Sequence, residues 1–350
     1  MYRFLLSEKT YKNIKLYLNG LKKGEKPGFY LSKILGGKDL NKITPEVFFE
    51  NIIRTKKPQI FAESQVTGDG SDWNLKELSI LGDVGVSASV RVYDNGRHFN
   101  PLVHENSFNA NLLFIPGALL RSSGKNIPAD FNQVTKDKNL CFEKFYSLYE
   151  RRLLPLFYYA DNYAKQKNKK AFITIPGLGC GQFAGKFIGT LGIELKKVLG
   201  LILENYGKNF SSVLGVYYDP YNECENEYHE IEGISFFVRP LLKQQIEKPQ
   251  LCRPSIYNEK DRDFSNCELF SIVAWDHVSW PGNDFYLGSR VTDDGVKAAA
   301  TDLMFKITGI KGCYNAGRNC YCQPHNYLNW KDVVLKNNIE LKVCDNFLVY

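Results

Sequence analysis

Several features are scarce in this 350-residue chain. No apolar run approaches the ~20 residues needed to cross a bilayer, so no membrane association through a spanning helix is expected. The opening stretch, MYRFLLSEKT, carries too short an apolar run for a secretory signal, which makes the cytoplasm the expected location. There is no compact Arg/Lys block and no RNA-binding signature. The net charge of +7 is mild, so nucleic acid is not an expected partner, although an acidic ligand is permitted. Internal repeats and low-complexity tracts are absent.

Histidine is sparse, at five residues, and the nine cysteines are odd in number and irregular in spacing. Without a signal segment they are expected to be free thiols in a reducing compartment. CYNAGRNCYCQPH gathers Cys313, Cys320, Cys322 and His325, yet its spacing matches no paired C-x-x-C zinc pattern. Neither a metal nor another cofactor is expected.

What is present is a folding chain. Apolar residues make up 44% and aromatics 14%, enough for a sizeable core with deep stacked pockets or, alternatively, a Tyr-rich surface. Met1 to about Lys57 reads as helical and polar. Ser7 is placed to cap a first helix and Thr44-Pro45-Glu46 to start another. The turn chemistry of TGDGSD, Thr67 to Asp72, marks a boundary that divides a helical accessory segment, 1–70, from a main domain, 71–350.

Beyond it the pattern alternates between strands and helices. ELSILGDVGVSASVRVYDNG ends in an Asp94-Asn95-Gly96 turn, and NANLLFIPGALL is a buried strand stopped by Pro116-Gly117. Leu140 to Gln166 has helical periodicity, with a kink expected at Pro155. KKAFITIP, SSVLGVYYDP, IEGISFFVRPL and the apolar run Ser271–Trp275 read as further strands. IELKVCDNFLVY reads as a closing one. Alternating strands and long helices argue an α/β sandwich on a parallel or mixed sheet.

Two connections carry chemistry. The first, IPGLGCGQFAG, spans Ile175 to Gly185 between a strand and a helix. Dense glycines let backbone approach a ligand, and N–H groups at the following helix start can receive phosphate oxygens. The loop lacks the lysine of a Walker A motif, and Gln182 replaces the third glycine of a Rossmann fingerprint. A tight strand-to-helix turn is the plainer alternative.

The second connection is WDHVSWPGNDFYLGSRVTDDG. Asp276 ends a strand, Asp284 sits on a Pro/Gly-shaped loop, and Asp293 and Asp294 open a helix. For the last two, N-capping and first-turn charge are sufficient local reasons. Converging carboxylates suit a metal, acid–base catalysis or ribose hydroxyls, and Trp275, Trp280, Phe285 and Tyr286 would stack on a base or form core. Phosphates held on amides and ribose held on carboxylates together fit ADP-ribose.

The glycine loop resembles the pyrophosphate loop of macrodomains. D-H-V-S-W-P-G-N-D-F followed by T-D-D-G resembles the MavL-type bacterial effectors, macrodomain-like ADP-ribosylhydrolases distantly akin to poly(ADP-ribose) glycohydrolases. The resemblance implies a three-layer sandwich with a mixed central sheet and an N-terminal helical layer. It implies hydrolysis of an N-glycosyl bond that frees mono-ADP-ribose from a protein, with arginine-linked ADP-ribosylated ubiquitin as partner and the host cytosol as destination. It makes Asp276, Asp284 and Asp294 the active-site acids. Gly177, Gly179, Cys180, Gly181, Gln182 and Phe183 would line the diphosphate, with Trp275, Trp280 and Asn283 beside them. The acidic loop follows the phosphate loop instead of preceding it, and no G-G-G-x-Q-E-E segment is present, which disfavours poly(ADP-ribose). A non-catalytic ADP-ribose reader and a metal-dependent phosphoesterase remain the alternatives.

Overall fold

The computed structural model describes residues 2–60, 66–122, 126–259, 261–343 and 346–350. Nine strands form one sheet: β1 (Tyr2–Leu6), β2 (Gly85–Asp94), β3 (Val103–Pro116), β4 (Lys170–Pro176), β5 (Val213–Asp219), β6 (Glu227–Ile231), β7 (Ile234–Val238), β8 (Cys267–Trp275) and β9 (Phe347–Val349). Their order is β9-β1-β2-β3-β8-β4-β5-β7-β6. The five central strands, β3-β8-β4-β5-β7, run parallel, while β2 pairs antiparallel with β1 and β3, and β6 with β7. Central parallel strands are buried on both faces, which is why FITIP and LFSIV read as continuous apolar runs.

The mixed sandwich expected from the sequence is borne out. One face of the sheet is covered by α5 (Phe142–Gln166) and α6 (Leu191–Tyr206). The other carries α1 (Glu8–Lys22), α2 (Phe29–Leu35), α3 (Pro45–Ile53), α4 (Leu75–Gly82), α7 (Asp293–Ala299), α8 (Leu303–Thr308) and α9 (Trp330–Lys336). Caps legible in the sequence are in place: the Ser7 side chain accepts from Thr10 N and Thr44 from Val47 N, with Pro45 in the first helical turn. Asn74 and Glu77 complete a reciprocal capping box on α4. The turn after β2 closes where Gly96 N donates to Asp94 Oδ1, with Gly96 at φ +76°. Helix α5 runs through Pro155 as one helical element.

Three readings need correction. Tyr2–Leu6, expected to be helical, is a strand between β2 and β9, so the N-terminal segment joins the main sheet as well as covering it. Five residues are too few to display either period. Glu77 to Gly82 continues α4 instead of belonging to the strand that follows. The closing strand is three residues long, and Cys344 and Asp345 of its expected range lie outside the described residues. CYNAGRNCYC forms a small hairpin that sets Cys313 opposite Cys322.

Candidate functional site

The loops after β3, β8 and β4 emerge side by side at the carboxyl ends of adjacent parallel strands, where open α/β sheets bind ligands. Two glycines of this edge are required by packing. A Cβ on Gly117 would stand 2.3 Å from Gly179 N, and one on Gly179, at φ +72°, would stand 2.7 Å from Ala118 N. Tyr149 bridges the same two loops, its hydroxyl accepting from Ala118 N at 3.0 Å and donating to Leu178 O at 2.6 Å.

Gly181 differs. Its φ is not positive, and a Cβ there would meet nothing within 4 Å. Among the described residues, the N–H groups of Gly181, Gln182 and Phe183 have no hydrogen-bond partner, and all three residues line a cleft of about 320 Å³. The helix start expected to receive phosphate is not at this place. Helix α6 begins at Leu191, and its Gly192 N is taken by Glu223 Oε2 at 2.6 Å. The anion-binding capacity therefore belongs to the loop's own amides.

The other wall of the cleft is acidic: Asp276, Asp293 and Asp294 line it with Gly177, Gly179, Trp275 and Asn283. Asp276 shapes its own loop. Oδ1 accepts from Val278 N and Ser279 N, both at 2.7 Å, and Oδ2 accepts from the Ser279 hydroxyl. Asp294 accepts from Gly282 N at 2.7 Å and Asn283 N at 2.9 Å. Burial drives its carboxyl well above the usual carboxylate range, and the neighbouring Asp276 charge adds to that. Asp284 is half-buried on the short 3₁₀ turn Asn283–Leu287 and makes no side-chain hydrogen bond to a described residue. It does not line the cleft with Asp276 and Asp294, and its Cβ lies 3.2 Å from where a Cβ on Gly295 would be.

Helix α7 is capped by Thr292, whose hydroxyl accepts from Gly295 N. The capping role considered for Asp293 is thereby corrected. Asp293 reaches back to the sheet, accepting from Ala274 N at 2.8 Å and from the buried Lys297 ammonium at 3.1 Å. Trp275 lines the cleft, and its buried Nε1 has no hydrogen-bond partner among the described residues. Trp280 stands behind it, donating to Lys56 O at 3.2 Å and packing edge-on against Tyr286. Gln182 accepts from Arg121. Cys180 is buried, and burial pushes its thiol far up; it faces an adjoining cleft of about 470 Å³ beside Asp219. That cleft and a wider one of about 990 Å³, edged by Arg97 and Arg121, meet the acidic cleft at Gly181.

Two supports carried no sequence signal. The first is the buried Arg152, which donates to Pro116 O and Gly117 O and pairs with Asp130 at 2.7 Å and Asp83 at 3.2 Å. Asp130 also holds His277 Nε2 at 3.1 Å. Burial pulls the Asp130 carboxyl upward, but Arg152 and His277 outweigh it and hold the group well below the carboxylate range. The second support is the segment after α3. Lys57 N donates to Val278 O, Trp280 N donates to Lys57 O, and Ile60 N donates to Asn283 Oδ1. The N-terminal layer is thus hydrogen-bonded to the acidic loop itself.

A mixed sheet between two helical layers, with a glycine loop and an acidic loop on adjacent parallel strands, defines a macrodomain-like protein. The family model described as macrodomain effector MavL matches residues 2–327, and the chain belongs to that family. It is a macrodomain effector whose fold class is tied to ADP-ribose. No curated protein shows a significant match to the chain. Among the described residues, no helix is long and apolar enough to cross a membrane, and no group of three or more His, Cys, Asp or Glu side chains is arranged to hold a metal ion.

Proposed function

We propose that the protein is an ADP-ribosylhydrolase that removes mono-ADP-ribose from a protein arginine, with ADP-ribosylated ubiquitin as the substrate. The observation that carries this reading is one cleft lined both by the amides of Gly181–Phe183, which have no hydrogen-bond partner among the described residues, and by Asp276 and Asp294. The amides would neutralise the diphosphate, the distal ribose would sit on the acidic side, and the adenosine end would continue past Gly181 into the 470 Å³ cleft.

Water adds to ribose C1″ as the bond from C1″ to the guanidino nitrogen breaks, through an oxocarbenium-like transition state. Asp276 lines the cleft and is assigned to hold and deprotonate the water, while Asp284, which does not line it, is assigned to act through its charge on the Asp294 carboxyl. Asp294, biased to its protonated form, donates toward the leaving guanidine or ribose. Asp276 also keeps the loop in shape. The proton taken from water ends on the released arginine, and the other product is free ADP-ribose.

One observation favours a pure reader: Asp276 and Asp294 already serve backbone donors, so the loop would stand without turnover. Incubation with arginine-ADP-ribosylated ubiquitin separates the two. Free ADP-ribose with regenerated ubiquitin is expected, insensitive to EDTA. Tight ADP-ribose binding with no release would leave a reader. Activity abolished by EDTA and restored by magnesium or manganese would indicate a metalloenzyme.

A further inference from the structure

Lys56 is a fully buried lysine far in sequence from the acidic loop, yet it lies directly under it. Its ammonium donates to His277 O at 2.6 Å and stands 3.9 Å over the Trp275 ring. Its carbonyl accepts from Trp280 Nε1, and the next residue, Lys57, forms a short parallel bridge with Ser279. Residues 275, 277, 279 and 280 are therefore all fastened to this one point of the N-terminal layer.

The charges around it come from two elements. Asp276, at the end of β8, and Asp294, on α7, are the carboxylates that act on the ammonium. Neither forms an ion pair with it, and both point their oxygens at loop N–H groups. His277 turns its ring away to Asp130 and Arg152. Asp284 acts on the Asp294 carboxyl, and Lys297 is engaged with Asp293, Gln250 and Ile272 O. Two buried carboxylates in one pocket repel each other unless a proton or a cation is near.

We propose that Lys56 is a positioning residue: its ammonium, held between the His277 carbonyl and the Trp275 ring, is the countercharge that lets Asp276 and Asp294 share the cleft and keeps the catalytic loop in register. This rests on the hydrolase reading above. Burial lowers the Lys56 ammonium to about 7, with Asp276 and Asp294 opposing the fall. The cation is thus present below about 7 and lost above it, which places an alkaline limb on turnover near neutrality.

The test uses the full chain with Lys56→Met and Lys56→Arg, each with a melting curve. Met matches the volume without the charge, and Arg keeps a charge that does not titrate in this range. Lys56→Met should hold ADP-ribose within about threefold of wild type but lose about tenfold or more in kcat and show no alkaline limb. Lys56→Arg should recover part of kcat, also without the limb. A direct reading independent of turnover is the NMR titration of the Lys56 Cε signal. It should show a midpoint near 7 that falls further in Asp276→Asn, because the carboxylate that most opposes the fall is removed. A folded Lys56→Met with wild-type kcat and pH profile overturns the proposal, as does a Lys56 signal that titrates like a free lysine. If the wild-type protein turns over nothing, the hydrolase reading fails, and the NMR arm alone decides whether Lys56 and Asp276 are coupled.

Discussion

The glycine loop and the acidic loop leave neighbouring strands, yet they are held in opposite ways. The glycine loop is fixed at its base, where Gly179 meets Ala118 and Tyr149 bridges the two, and it is open at its tip, where three amides have no partner among the described residues. The acidic loop is closed throughout: Asp276 and Asp294 consume four backbone amides between them, and the N-terminal layer adds further bonds. An open tip suits a ligand that brings its own negative charge. A closed loop suits groups that must hold position while charge changes during a reaction.

Changes at the acids should show that contrast most strongly. Asp294→Asn should keep ADP-ribose binding while turnover falls by ~10²–10⁴-fold, and Asp284→Asn should do the same with a smaller fall. Asp276→Asn should lose turnover and also melt lower, because its carboxylate organises three donors. If all three variants remain folded and turn over at the wild-type rate, the acidic loop is not the reactive centre.

Arg152 supports both loops at once, so Arg152→Met should blur the difference between them. Removing the shared guanidinium leaves buried Asp130 with only His277 and Asp83 with only Arg151, which should cost up to ~3–5 kcal/mol in urea unfolding. The same pair predicts an acid limit. Asp130 is depressed in the folded state, so its stabilisation is present above the unfolded-state carboxylate range and is lost as pH falls through its folded value. Melting temperature measured down the acid limb should therefore fall in the wild type and much less in the Met variant.

Two valines sharpen the contrast inside the glycine loop. Gly179→Val should cost ~1–3 kcal/mol from strain alone at φ +72°, with backbone overlap adding to it. Gly181→Val should leave stability unchanged, since its φ is ordinary and its surroundings are open, but calorimetry should show weakened ADP-ribose binding because the new side chain enters the cleft. Equal melting curves for the two variants would remove the distinction between base and tip.

Asp293→Asn should have the smallest effect. The amide oxygen can still accept from Ala274 N, and Lys297 retains Gln250 and Ile272 O, so a loss of about 1 kcal/mol and a modest change in turnover are expected.

Much of this was legible in the residues. Apolar runs ending in Pro or Asp located the central parallel strands, because a strand buried on both faces must be apolar throughout. Ser7 and Thr44 announced helix starts, because capping is a local interaction between a side chain and an amide three residues on. Glycine density and carboxylate density marked the two loops for the same local reason. The strand status of Tyr2–Leu6 depended on partners about 80 and 340 residues away, at β2 and β9.

The sequence by itself determined which segments could be strands, where helices begin, and which loops carry glycines and acids, since short-range sterics and hydrogen bonding decide those. Only the tertiary structure decided that Asp293 serves the sheet while Thr292 caps the helix, that Glu223 fills the start of α6, and that Gly179 is structural while Gly181 is open. It also decided that Lys56 and Arg152 lie beneath the loops they hold. A buried charge is placed by whatever surrounds it in space, and the residues around these two come from parts of the chain that no local pattern connects.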